Sequence, residues 1–210
     1  MSENPKPRHF SMLRSYTPAD VFTLGNAACG TGAIFACLNF LAESNDVRYI
    51  HAVFVLLPMA FILDALDGFV ARKMRRQSIL GADLDSLADV ISFGVAPAVL
   101  AFSLGMRGGW DVLVLIYFVC CGVSRLARFN VTAEELTDER GKVSYFEGTP
   151  IPTSLLLVFL LMYAFFTQRV DDALMLGVYQ LGPMQVHPLV IAYGLSGSAM
   201  ISATLRIPKP

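Results

Sequence analysis

The sequence predicts an all-α integral membrane bundle, with six transmembrane helices behind a short N-terminal amphipathic segment. Three observations predict it. First, hydrophobic residues fill 55% of the 210 positions and charged residues 16%, with a mean hydropathy of +0.56; a soluble domain carries about 25% charged residues. Second, six apolar stretches run roughly over 19–42, 49–73, 83–106, 110–129, 151–168 and 187–205, each close to the ~20 residues that a spanning helix needs. Third, the basic residues are unevenly placed. With the N-terminus in the cytoplasm, only Arg48, Arg107 and Arg169 of the 16 lysines and arginines fall on the far side, and cytoplasmic connections are the ones that collect Lys and Arg. Both termini are therefore expected in the cytoplasm, with the bundle in the cytoplasmic membrane. One such apolar helix could hide in a soluble core; six with this little charge could not all be covered.

Two segments follow, a juxtamembrane piece over 1–17 and the spanning unit over 18–210. Residues 1–8 are polar, and no signal-peptide pattern follows them. Residues 9–17 mix Arg14 with Phe, Met, Leu and Tyr, which suits a segment lying along the membrane surface. Thr17, Pro18 and Asp20 read as a helix start: a cap, a proline in the first turn and an acid at the positive end of the helix dipole. Gly25, Ala28, Gly32 and Ala36 form a small-residue stripe suited to helix packing. Residues 131–148 make a polar loop, and Gly148-Thr149-Pro150-Ile151-Pro152 shapes the entry to the fifth span. Residues 170–186 make a second, less charged connection. Cys29, Cys37, Cys120 and Cys121 form no CxxC and read as small buried hydrophobes. His9, His51 and His187 are isolated and receive no metal role. A net charge of −1 gives no reason to expect nucleic acid as a partner.

The chemistry concentrates in stretches two and three, which hold Asp64, Asp67, Asp85 and Asp89. A carboxylate inside a spanning helix is unfavourable by about 2.5–3.5 kcal/mol at the helix centre, so it marks a functional candidate. Counted from the cytoplasmic ends at 1.5 Å per residue, Asp64 lies about 12 Å deep and Asp89 about 9 Å deep. A short loop joins the two helices, so they are expected as antiparallel neighbours with their acids converging. Asp64, Asp67, Gly68, Ala71 and Arg72 share one arc of the second helix, and Gly81, Asp85 and Asp89 one face of the third. Four carboxylates would repel strongly at low dielectric; two divalent cations would balance them. An oxygen-only donor set points to Mg²⁺ or Mn²⁺ rather than zinc, and paired divalent ions suit displacement at phosphorus. Arg72, Lys73, Arg75 and Arg76 stand at the mouth. Arg72 shares the acid face and is read as a phosphate contact; the others are positive-inside anchors. Asp83 points off that face and is read as a cap at the helix start.

Asp64-xx-Asp67-Gly68-xx-Ala71-Arg72-(eight)-Gly81-xxx-Asp85-xxx-Asp89 resembles the signature of the CDP-alcohol phosphotransferases, with every fixed letter present. The strings LDSLADVISFGVAPA (84–98), RLARFN (125–130) and GTPIPT (148–153) look like one branch of that family, the phosphatidylserine synthases. The resemblance implies a CDP-alcohol phosphotransferase domain over 18–210, CDP-diacylglycerol and L-serine as substrates, and phosphatidylserine and CMP as products. It implies Asp64, Asp67 and Asp85 as metal ligands, and Asp89 as a ligand or as the general base toward the acceptor hydroxyl. Gly68, Ala71 and Gly81 would admit the nucleotide, with Arg72 near its phosphates. It also implies a homodimer.

Arg125 and Arg128 close the fourth stretch on its cytoplasmic side. They read either as anchors or as cations for the serine carboxylate or lipid phosphate, with Asn130 beside them as a weaker acceptor-site candidate. Asn26, near the depth of the acids, either touches ligand or bonds a neighbouring helix. Three alternatives stay open: the same chemistry with glycerol 3-phosphate, inositol phosphate or another alcohol; a cation transporter using the acids as an ion path; and an intramembrane aspartyl protease, which needs two acids sharing a proton and not four.

Overall fold

The computed structural model describes residues 17–43, 46–74, 79–135, 145–170, 174–202 and 206–208. The expected surface segment over 9–17 lies outside them except for Thr17, as do Arg75, Arg76 and the middle of the 131–148 loop. Among these residues, seven α-helices make the framework: α1 (Pro18–Ala42), α2 (Val47–Met74), α3 (Ile79–Asp89), α4 (Ala96–Ser103), α5 (Gly109–Glu135), α6 (Leu155–Phe166) and α7 (Val190–Ile201). Helix α3 passes through a π-helical turn, Val90–Val95, into α4, so that 81–103 forms a single rod. Four rods, 18–42, 47–74, 81–103 and 109–131, are long and apolar enough to cross a membrane. The last two apolar stretches form shorter helices, spanning 151–166 with its leading 3₁₀ turn and 190–201.

Outward faces carry Phe35, Val55, Leu113, Ile116, Leu156, Ile191 and Leu195, all exposed, while the core is equally apolar. Helices that are apolar on every side belong in hydrocarbon. Together with the family reported below, this identifies an integral membrane protein. The predicted start of α1 is observed: Asp20 Oδ2 accepts the Thr17 backbone N–H at 2.6 Å.

α1 is the central element. It packs along α2 most extensively and also against α3, the π-turn and α4. The expected direct packing of α2 on α3 is not what brings the acids together. Among the described residues those two helices make little direct contact, and α1 serves as their common partner. The small-residue stripe is only partly used: Gly25 faces Leu63 and Gly32 faces Leu56 of α2, whereas Ala28 is exposed. The closest approach is at Gly30, where an added Cβ would lie 2.8 Å from Ser92 Cα in the π-turn. Ser92 Oγ also donates to the Asn26 carbonyl at 2.9 Å, tying α1 to that turn.

At one end of the bundle, three-residue strands β1 (Tyr145–Glu147) and β4 (Arg206–Pro208) pair antiparallel. Gly148 then takes φ +74, in contact with the Met200 carbonyl, which a side chain could not do without strain. A 3₁₀ turn over Ile151–Ser154 leads into α6, so the proline-rich segment does shape that entry. At the opposite end, β2 (Tyr179–Leu181) and β3 (Met184–Val186) form a hairpin whose turn uses Gly182 at φ +64.

The structure changes two smaller readings. Helix α3 begins at Ile79, so Asp83 is not its cap; Asp83 is exposed and accepts the Asn130 amide at 3.4 Å. Cys37 and Cys121 are buried as expected, but Cys120 is exposed on the outer face of α5.

Candidate active site

The acidic residues converge as their spacing requires. Asp64 and Asp67 descend one face of α2, and Asp85 and Asp89 one face of α3. One carboxylate oxygen each from Asp64, Asp67 and Asp85 lies within 4.8 Å of the others. Asp89 stands one turn further along α3, with its carboxyl toward Asp64. Asp67 and Asp89 are buried; Asp64 and Asp85 are half-buried.

α1 supplies the third wall. Thr23 Oγ1 donates to Asp67 Oδ2 at 2.7 Å, and Asn26 Nδ2 donates to Asp89 Oδ1 at 3.3 Å. Asn26 is fully buried, so of its two sequence readings the structure favours a polar partner on another helix, and that partner is one of the acids. Thr23 was not singled out from the sequence. Its signal was there to be read: Asp20, Thr23 and Asn26 recur every three residues in a mostly apolar helix, which puts them on one face.

α5 supplies the fourth wall. The buried Arg125 guanidinium lies within Coulombic reach of Asp89 and of Arg128, and sits 5.7 Å from the Phe129 ring centre. Its Nε is buried without a hydrogen-bond partner among the described residues. Asn130 accepts from Ser86 Oγ at 3.1 Å and donates to Asp83, tying the end of α5 to α3 beside Asp85. On α2, Gly68 and Ala71 are half-buried, and an added Cβ on Gly68 would sit 3.3 Å from Arg72 Nη1. The exposed Arg72 thus lies over the glycine beside Asp67. Gly81 is half-buried on α3 one turn before Asp85.

The donor set fits hard divalent cations. Every candidate ligand is a carboxylate oxygen, and Asp85 Oδ1 is buried with no hydrogen-bond partner among the described residues. A buried carboxylate oxygen without a donor needs compensation from another source.

Comparison with known proteins decides the family. The pattern described as CDP-alcohol phosphatidyltransferase matches residues 16–186, most of the chain. A protein of Saccharomyces cerevisiae named CDP-diacylglycerol–serine O-phosphatidyltransferase is 43% identical over 207 residues, covering 96% of this chain and 74% of that protein. One of Bacillus subtilis with the same name is 32% identical over 153 residues, 72% of this chain and 77% of its own length. The archaetidylserine synthase of Methanothermobacter thermautotrophicus is 41% identical over 112 residues, 52% of this chain and 45% of its own.

The chain belongs to the CDP-alcohol phosphatidyltransferase family.

It is therefore an enzyme of a phosphotransferase family, and the transporter and protease alternatives lose their support. The stretch matched to the CDP-alcohol phosphatidyltransferases contains all four acids, the α1 wall and the Arg125–Asn130 segment of α5, and it ends at the β2–β3 hairpin, before α7.

Proposed function

We propose that the protein transfers a phosphatidyl group from CDP-diacylglycerol to the hydroxyl of L-serine, giving phosphatidylserine and CMP. The observation that carries it is the meeting of Asp64, Asp67 and Asp85 within 4.8 Å inside a membrane bundle of this family. Serine as acceptor rests on the names of the relatives, which share it even where the lipid product differs.

Asp64, Asp67 and Asp85 would hold divalent cations, Mg²⁺ or Mn²⁺, with Asp89 as a further ligand or as the base. When bound, such ions neutralise the diphosphate and stabilise the departing CMP. The protein's own residues do the rest. The Asn26 amide holds Asp89 Oδ1 and so orients the carboxyl that would take the proton of the serine hydroxyl. The serine oxygen forms a bond to the lipid-side phosphorus, and the bond from that phosphorus to the bridging oxygen breaks. CMP leaves with the electron pair, and the proton stays on Asp89. Arg125, beside Asp89, is placed to receive the serine carboxylate or the lipid phosphate, with Arg128 one turn on. Gly68 and Ala71 leave room for the nucleotide, and Arg72 covers its phosphates.

The chain is proposed to cross the membrane six times, with α6 and α7 as the two short spans, and to keep both termini and the acid site on the cytoplasmic side. The asymmetry of Lys and Arg supports that side. A homodimer is proposed from the resemblance, and cross-linking in native membranes tests it.

The deciding assay supplies purified protein with CDP-diacylglycerol, Mn²⁺ or Mg²⁺, and one alcohol at a time, and measures CMP. Release with serine and not with glycerol 3-phosphate or inositol phosphate is expected. Release with glycerol 3-phosphate alone would move the acceptor and keep the chemistry. Asp89→Asn is expected to lower turnover by about 10²–10⁴-fold, the usual contribution of a general base, while the protein still inserts. A wild-type rate would remove Asp89 from that role.

A further inference from the structure

Asp67 and Asp89 are each held by a neutral side chain on α1, and the contact to Asp67 is the shorter, 2.7 Å against 3.3 Å. Thr23 Oγ1 lies 2.7 Å from Asp67 Oδ2 and 3.3 Å from the Ala19 carbonyl of its own helix. A hydroxyl has one proton to give, and the shorter contact, to a carboxylate, is the stronger acceptor. Both side chains are buried, so water does not compete for the bond. The Gly68 backbone N–H also bonds the Asp67 carboxylate. Asp85 Oδ1, by contrast, has no hydrogen-bond partner among the described residues.

The consequence concerns carboxylate orientation. The terminal torsion of an aspartate is broad and turns easily. Asp64 and Asp85 press against Asp67 with like charge, and α2 itself opposes a turn of the group only through the adjacent Gly68 N–H. The hydroxyl on α1 fixes one oxygen and so the plane of the group.

We infer that Thr23 is a positioning residue for the metal site: its hydroxyl locks Asp67 in the orientation that a divalent cation needs. This rests on the proposed metal site. Outer groups that orient a ligand typically change metal affinity about 10–100-fold when removed. Valine matches threonine in shape and removes only the hydroxyl, while serine keeps it.

The test titrates Mn²⁺ into purified wild type, Thr23→Val, Thr23→Ser and Asp67→Asn, following free Mn²⁺ by electron paramagnetic resonance. The expected result is tight binding by wild type and Thr23→Ser, about tenfold weaker binding by Thr23→Val, and the weakest binding by Asp67→Asn. In turnover, Thr23→Val should need more Mn²⁺ for half-maximal rate and recover most of the wild-type rate at saturation. A simple packing defect would not give that rescue. Thr23→Ala removes the same hydroxyl and repeats the measurement should the valine variant aggregate. Thr23→Val binding as tightly as wild type, or Thr23→Ser binding as weakly as Thr23→Val, overturns the role of the hydroxyl and leaves the metal site standing. A wild type that binds no Mn²⁺ overturns the metal site and this inference together.

Discussion

The two ends of the bundle each bury acid, and they treat it in opposite ways. At the end away from the active site, Asp111 is fully buried at the start of α5. Its Oδ2 accepts from Gly108 N–H at 3.0 Å and meets His187 Nδ1 at 2.6 Å, and its Oδ1 accepts from His187 N–H at 2.8 Å. Trp110 Nε1 donates to the Leu181 carbonyl at 3.0 Å alongside. These bonds fasten the β2–β3 hairpin and the entry to α7 onto α5. At the active-site end, three carboxylate oxygens crowd within 4.8 Å of one another, and Asp85 Oδ1 has no donor among the described residues. An acid supplied with donors on both oxygens is a structural joint. Crowded acids short of donors are kept for a ligand, because they are otherwise unfavourable.

The largest effect that tests this contrast is on catalysis. Asp85→Asn should reduce CMP release by about 10³-fold, as the loss of an electrostatic group at a reacting phosphate does. It should not lower the melting midpoint of the metal-free protein, since it relieves repulsion and breaks no hydrogen bond to Oδ1. Saturating Mn²⁺ should stabilise wild type, by about 2.7 kcal/mol at a hundred times its dissociation constant, and Asp85→Asn far less. A destabilised Asp85→Asn that retained its rate would make Asp85 a joint like Asp111 and break the comparison.

Asp111→Asn should do the reverse. An amide presents one acceptor oxygen where the site offers donors to two, so one buried donor is left unpaired, at about 1–3 kcal/mol. The melting midpoint should fall, the stabilisation by Mn²⁺ should remain, and the rate per folded molecule should stay near wild type. Loss of the Mn²⁺ response in this variant would show that the two ends are coupled.

The same contrast explains what could be read in advance. The four acids were legible because spacings of three and four residues fix a face within a helix, whatever the helix packs against. Their partners were not: Thr23 and Asn26 reach acids 44 and 63 residues away, and only packing shows such pairs. At the π-turn Gly30 meets Ser92 across 62 positions of chain, a contact that no local pattern announces. The strands are three residues long, too short for an alternation to show, and β1 finds β4 only through the tertiary fold. Prolines 150 and 152 shortened the α-helical part of the fifth stretch by favouring a 3₁₀ entry. His187 was given no role because Asp111 lies 76 residues earlier in the chain.

The smallest expected effect sharpens the structural end. Asp111 only accepts, so His187 Nδ1 carries the proton in their bond. His187 Nε2 is buried with no partner among the described residues, so the far side of the ring contributes shape and no hydrogen bond. Asparagine places its amide nitrogen near the position of Nδ1 and keeps the backbone N–H that bonds Asp111 Oδ1. His187→Asn should therefore lower stability by less than about 1 kcal/mol, the worth of an ordinary hydrogen bond. His187→Ala, which leaves Asp111 Oδ2 short of a donor, should fall by more, toward the Asp111→Asn value. Thermal melts of the two variants in the same detergent check the order. Equal losses would mean that the ring itself, and not the proton on Nδ1, fastens the hairpin to α5.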